Sequence, residues 1–251
     1  MPPKRRVLIA GESWTIHSIH QKGFDSFTTT EYGEGVRWLK RALHAGGWEV
    51  DHQPAHIAAR EFPLNVKELS VYDCVILSDI GANTLLLHPE TFSDSRALPN
   101  RLDTIADYVR GGGGFVMVGG YLTFQGIDGK ARYSGTAVED MLPVFIETND
   151  DRSEQPQGIA PIVLDEHHPI ARNIGSDWPD LLGYNRVAPK PDGTVITNVG
   201  HDPLLVAGTF GKGRSVAFTS DCGPHWAPPS FVEWPGYELL WQQIVGWASG
   251  D

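Results

Sequence analysis

The sequence has little cysteine, little positive charge and no long apolar run, and each scarcity excludes something. Two cysteines, Cys74 and Cys222, stand far apart among 251 residues. They make no disulfide framework, and free thiols fit a reducing compartment. Apolar runs fall far short of the ~20 residues a membrane-spanning helix requires. No signal-peptide core follows Met1-Pro2-Pro3. The chain therefore reads as cytoplasmic, with no membrane partner. Lysine and arginine number 20 against 31 acidic residues, a formal charge of −11. A phosphate-backbone binder needs a basic face, so nucleic acid is excluded as the main partner. The run Lys4-Arg5-Arg6 is too short to supply one.

What is present is ordinary globular material, 41% hydrophobic and 20% charged, enough to build a core without metal or disulfide. Val7-Leu8-Ile9-Ala10, Cys74-Val75-Ile76-Leu77 and Phe115-Val116-Met117-Val118 read as buried parallel strands. Residues 48–52 alternate like a further strand. Val36, Leu39 and Leu43 recur at helical spacing before Gly46-Gly47, and Leu102, Ile105, Ala106 and Val109 share a helix face before the glycines at 111–114. That alternation predicts an α/β fold with a doubly wound, mostly parallel sheet. The second half, with strands over 159–165, 194–199, 204–208 and 214–219, adds a β-rich segment, and residues 237–248 close the chain as a helix. Residues 12–32 and the stretch after Asp79 read as long loops, 61–72 as a short helix or turn, and 149–158 as linker-like. His167-His168-Pro169 reads as a helix start. The 251 residues are expected to form a single domain.

In an open parallel sheet, ligands bind beyond the carboxyl ends of the strands. The segments that leave those ends carry Glu12, Ser13, Trp14, His17 and His20; Asp79 and Asn83; Gly120 and Tyr121; and Asp221, Cys222, His225 and Trp226. A pocket for a small-molecule ligand is expected there. Asp221 and His225 are close enough to meet in a tight turn, the arrangement in which an acid orients an imidazole for proton transfer. A turn-capping Asp221 with His225 packed on Trp226 fits the same residues. His17 and His20 could share a helix face and join His225 or Asp221 around a metal. The zincin Glu is absent, however, so they are read as ligand-contacting histidines, and neither metal nor cofactor is assigned. Cys74 lies within a buried strand. Cys222, beside Asp221, reads as structural before reactive.

Taken together, Val7-Leu8-Ile9-Ala10-Gly11-Glu12-Ser13-Trp14, Ser78-Asp79-Ile80-Gly81-Ala82-Asn83, Gly119-Gly120-Tyr121 and Ser220-Asp221-Cys222-Gly223-Pro224-His225-Trp226 resemble the bacterial glutamine amidotransferase-like proteins. That group is similar to the trehalose-utilisation proteins and, more distantly, to class I glutamine amidotransferases. The resemblance spans essentially the whole chain and implies a flavodoxin-like, class I amidotransferase-like fold. In the true amidotransferases it implies a Gly-x-Cys-x-Gly elbow, with a His and a Glu assisting the cysteine. Here Tyr121 stands at the nucleophile position and Thr123 replaces the second glycine. A phenol with an ordinary pKa near 10 is a poor nucleophile. Three readings follow. The first is an acid–base enzyme of hydrolase or lyase type on a small polar, carbohydrate-derived metabolite, using Asp221, His225 and Tyr121. The second is a non-catalytic ligand-binding or subunit-interaction module; under any of the three, a homo-oligomer is open. The third is a glutaminase that uses Cys222.

Overall fold

The computed structural model describes residues 5–250, so Lys4 of the basic run lies outside the described residues. In chain order the elements are β1 (Arg6–Gly11), β2 (Ser13–Lys22), β3 (Asp25–Glu34), α1 (Arg37–Ala45), β4 (Glu49–Gln53), α2 (Ala55–Glu61), α3 (Val66–Leu69) and β5 (Cys74–Ser78). There follow α4 (Ala82–Leu86), α5 (Pro89–Asp94), α6 (Arg101–Arg110), β6 (Gly114–Val118), α7 (Ala137–Met141), β7 (Val144–Ile146), β8 (Arg152–Ile159) and β9 (Pro161–Val163). The chain ends with β10 (Leu181–Asn185), β11 (Val187–Pro189), β12 (Thr194–Val199), β13 (Asp202–Phe210), β14 (Gly213–Phe218), α8 (Pro229–Val232) and α9 (Gly236–Ala248).

Eight strands form one sheet in the order β4-β1-β5-β6-β14-β13-β12-β9. The first five are mutually parallel, and the β13, β12 and β9 pairings are antiparallel. Helices cover both faces. On one, Leu39 and Leu43 of α1 meet Leu240, Trp241 and Ile244 of α9 over Val7, Ile76 and Val116. On the other, Ala58, Leu85, Leu102 and Ile105 cover Leu8, Val75 and Phe115. Each fully buried Leu, Ile or Val contributes about 1.5–3 kcal/mol through burial. These parallel strands are apolar throughout because neither face meets water.

Local signals account for the helix limits. Asn100 caps α6 by accepting the Leu102 N–H at 3.0 Å, and the chain leaves that helix through Gly111. Arg101, 1% exposed, donates to the carbonyls of Leu85, Ala58, Ala59 and Thr84, tying α6 to α2 and α4.

Several expected loops are structured. Residues 12–32 are no loop, because β2 and β3 form a ten-rung antiparallel hairpin. Its strands are solvated on both faces, so they lack the apolar–polar contrast that marks a half-buried strand, while Thr, Ile, Phe and Tyr supply strand propensity. The stretch after Asp79 contains α4 and α5. The linker-like 149–158 holds most of β8, which pairs with β10. Residues 167–169 form turns in place of a helix start; Asp165 caps them through the His167 and His168 N–H groups.

Candidate functional site

Four neighbouring strands, β1, β5, β6 and β14, end at the same edge of the sheet, and each delivers functional groups there. Glu12 follows β1, Asp79 follows β5, Tyr121 follows β6 through Gly119-Gly120, and Asp221 follows β14. Their side chains line a pocket of about 540 Å³ with Trp14, Ile16, Pro224 and His225, a size that suits a small metabolite.

The close approach of the strand ends needs glycine at two places. A Cβ on Gly11 would sit 2.0 Å from the Ser78 carbonyl oxygen, and one on Gly119 2.1 Å from that of Thr219. Glu12 and Asp79 adopt left-handed backbone conformations, with φ of 49° and 45°. The Glu12 N–H donates to the Ser78 carbonyl at 2.7 Å, fixing that turn. The Ser78 hydroxyl donates to Glu12 Oε2 at 2.5 Å and lies 3.6 Å from Cys222 Sγ. Asp79 Oδ1 accepts the Leu122 N–H at 2.8 Å.

Crowding of acids in a dry setting decides their protonation. Burial, then the charges of Asp221 and Asp79, push the Glu12 carboxyl well above the usual range. Burial and the Asp221 charge raise Asp79, against the opposing Leu122 N–H. His225 Nδ1 lies 3.3 Å from Asp221 Oδ2. Burial pulls that imidazole down, but the Asp221 hydrogen bond and the charges of Asp221, Asp79 and Glu154 outweigh it, so its pKa is raised. With Nδ1 committed to Asp221, Nε2 is the nitrogen that can exchange a proton with a ligand.

The aromatic groups pack as a unit. The Tyr121 ring stands edge-on to His225 at 4.3 Å, and His225 stacks on Trp226 at 5.1 Å. Glu154 accepts from the Tyr121 hydroxyl and from Trp226 Nε1, each at 3.0 Å, and the Arg152 guanidinium lies over the Tyr121 ring.

The expected residues therefore divide. Glu12, Trp14, Asp79, Tyr121, Asp221 and His225 come together around the pocket. Gly120 lies in the adjoining turn, and Trp226 is buried behind Tyr121 and His225. The Ser13 hydroxyl is turned to structure, accepting the Ala55 N–H at 2.7 Å, and Asn83 is exposed on α4. His17 and His20 lie out along the hairpin, hydrogen-bonded to Thr30 and Thr29. Three residues apart on a strand they point to opposite faces, so the helix-face pairing expected for them does not exist. Asp221 also caps its own turn by accepting the Gly223 N–H. The turn cap, the stack of His225 on Trp226 and the Asp221–His225 contact thus coexist.

Sequence reasoning missed Ile16 and Pro224, which line the pocket, together with Glu154, Arg152, Asn185 and Asp151. Buried Asn185 accepts the Gly120 N–H at 2.9 Å and donates to Asp151 Oδ1 at 2.7 Å, and Asp151 accepts the N–H groups of Gln125 and Gly126. No local motif marks these residues; they reach the turn from β8, β10 and the chain just before β8.

Neither proposed nucleophile is prepared for attack. Burial, then the Glu154 contact, raises the Tyr121 phenol. Cys222 is buried, and burial with the Glu12 and Asp221 charges raises its thiol well above the ordinary value. Among the described residues, the turn after β6 continues as turns and a single 3-10 turn, so no helix begins at Tyr121 to stabilise an anion. Glu12, Asp221 and Cys222 bring one potential metal-ligand atom each within 4.8 Å of one another. Those groups already hydrogen-bond with Ser78, Gly223 and His225.

Fold and site define an α/β protein with an acid-rich pocket at the carboxyl edge of a mostly parallel sheet. Residues 6–250 match the family model described as "Putative glutamine amidotransferase", and the chain belongs to that family. It is 44% identical to two Salmonella typhimurium proteins, each named a cytoplasmic protein. One is matched over 96% of this chain and 98% of its own length, the other, from strain LT2, over 97% and 99%; both have a TM-score of 0.94. A protein from Parabacteroides merdae named as ThuA-like shares 12% identity over 99% of this chain and 90% of its own, with a TM-score of 0.60, a likeness of fold alone. A search of curated proteins found no match.

Proposed function

We propose that the 251 residues fold as one flavodoxin-like, class I glutamine amidotransferase-like domain that works in the cytoplasm as an acid–base enzyme of hydrolase or lyase type. Its substrate is a small polar, carbohydrate-derived metabolite. The observation that carries this reading is the convergence of Glu12, Asp79, Asp221 and His225 on one pocket. Glu12, Asp79 and His225 are shifted from their ordinary pKa values, and shifted groups that share a cleft support a reading as a reacting site.

In this reading Asp221 orients His225 and stabilises its cationic form, and Nε2 gives or takes the proton. Glu12 and Asp79, whose carboxyls burial and neighbouring charge shift toward the protonated form, hydrogen-bond substrate hydroxyls. Trp14 and Tyr121 offer aromatic surface to a sugar ring. The acidic lining disfavours phosphorylated and carboxylate substrates and favours neutral, hydroxyl-rich ones. The turn that carries a nucleophilic cysteine in class I amidotransferases serves here as a binding wall.

Incubation with a panel of neutral sugars, glycosides and sugar lactones, read by mass spectrometry, tests the proposal. His225→Ala is expected to abolish product formation with an unchanged circular dichroism spectrum, and unaltered turnover in that variant would overturn it. Glu154, which locks Tyr121 and Trp226 into a fixed platform, favours a second reading as a binding module. Thermal stabilisation by a panel member with no product on prolonged incubation would select that reading.

A further inference from the structure

The β2–β3 hairpin has no role in the core. Its ten paired rungs run from Ser13↔Glu34 to Lys22↔Asp25. At the base, Trp14 lies against Gly33 and Gly35, and Tyr32 meets the edge of His56. Beyond the base both strands are solvated, and they make few contacts with any element but each other. A two-stranded hairpin alone in water is marginally stable. This one also exposes apolar groups on both faces and at its tip: Ile19 is 76% and Phe27 52% exposed, on opposite faces, and Phe24 is fully exposed in the turn. Its outer edges present unpaired strand backbone without a proline to guard them.

We propose that the outer hairpin, residues 15–30, is an arm that lies on a second copy of this chain. Charge supports that occupant. Lys22 and Asp25 are the arm's only formal charges and cancel, whereas the whole chain carries −11. A neutral arm meets a like-charged copy without the repulsion that its acidic remainder would meet, and offers nothing to a basic partner. Area supports it too. Eight residues at ~3.3 Å each, in a ribbon ~10 Å wide, present ~260 Å² per face. Two arms exchanged about a twofold axis, counting the surfaces they cover, bury ~1,050 Å², enough to clear the ~1,000 Å² of a specific interface. Because Trp14 and Ile16 at the arm's base line the pocket, association would brace one wall of it.

Sedimentation velocity of the full chain at micromolar concentration tests the arm. The expected mass is at least twice the 27.6 kDa of one chain. The variant carrying Ile19→Asp and Phe24→Asp is expected to dissociate, with affinity lowered roughly a hundredfold or more. Neither residue lines the pocket or enters the core, so circular dichroism and the melting of the variant's core should report an intact fold. A monomeric wild-type chain would overturn the proposal, as would a folded variant that keeps the wild-type mass. Neither result depends on whether the pocket is catalytic.

Discussion

Replacing Asn185 with alanine should loosen the Tyr121 turn from beneath. The Asn185 carboxamide is buried; it accepts the Gly120 N–H at 2.9 Å and donates to the Gly120 carbonyl at 3.2 Å and to Asp151 Oδ1 at 2.7 Å. Asp151 in turn holds the Gln125 and Gly126 N–H groups at 2.8 and 2.9 Å, so the pair clamps both ends of the turn. Alanine leaves the Gly120 N–H buried without a partner and takes one of two donors from Asp151 Oδ1, which keeps the Gly126 N–H. At about 1–3 kcal/mol for the orphaned N–H and about 1.5–3 kcal/mol for the lost bond to the Asp151 carboxyl, the loss is about 3–5 kcal/mol, or a Tm lower by about 10 °C for a chain of this size. Burial already raises the Asp151 pKa against the hydrogen bonds from Asn185, Gln125 and Gly126, so removing Asn185 raises it further. A carboxyl that binds its proton more tightly when folded adds stability below its unfolded pKa, and that stability is lost as pH rises through the folded value. The deficit of the variant should therefore be larger at about pH 8 than at about pH 5. Calorimetry and denaturant titration at both pH values measure it. A variant within about 1 kcal/mol of wild type, or a deficit that shrinks as pH rises, would refute the clamp.

The same sign applies to Glu12→Gln. The amide cannot ionise, so the variant should melt above wild type at alkaline pH and converge with it in acid, and coincident Tm profiles would count against the buried, proton-holding Glu12. Asp221→Asn removes both the hydrogen bond and the nearest charge that raise His225, and NMR titration of the ring should show a lower pKa. The stability that His225 contributes, present below its unfolded pKa and lost as pH rises through the folded one, should then disappear at lower pH; an unmoved titration would break the pair. Cys222→Ser should cost about 1 kcal/mol and leave turnover intact. Loss of turnover, or of ammonia release from glutamine, in a folded variant would restore the thiol as nucleophile.

The sheet and the edge that carries the pocket were legible because parallel strands buried on both faces are short apolar runs, and the residues after each run fall at the carboxyl edge by geometry alone. Glu12, Asp79, Tyr121 and Asp221 each follow such a run within three residues. The hairpin was not legible as strands, since Thr15, His17 and Ile19 on one face and Trp14, Ile16 and His20 on the other give no polarity contrast to read. Strand propensity was the available signal, in Thr28-Thr29-Thr30 and its aromatic neighbours. Asn185 and Glu154 were hidden for a different reason. They act on a turn 65 and 33 residues away, and only tertiary folding sets such contacts.

Why the pocket should be read as a working site rests on what it costs the fold. A non-glycine residue in the left-handed region sacrifices roughly 1–2 kcal/mol. Aspartate tolerates that conformation because it can bond to nearby backbone, as Asp79 does with the Leu122 N–H, but glutamate has no such local compensation. Glycine at position 12 would relieve the backbone and remove a buried carboxyl that repels Asp79 and Asp221. Of the seven non-glycine residues with positive φ among the described residues, two, Glu12 and Asp79, follow neighbouring strands and line one pocket with His225. Packing alone gives no reason for that choice, since an apolar side chain would fill the same volume with less penalty. Strain and like-charge crowding at one place, each raising the free energy of the folded state, support the proposal that the pocket is held for its chemistry. Both devices follow β1 and β5, away from the turn at Gly119-Gly120-Tyr121, so the acid–base reading proposed above does not depend on a cysteine in that turn.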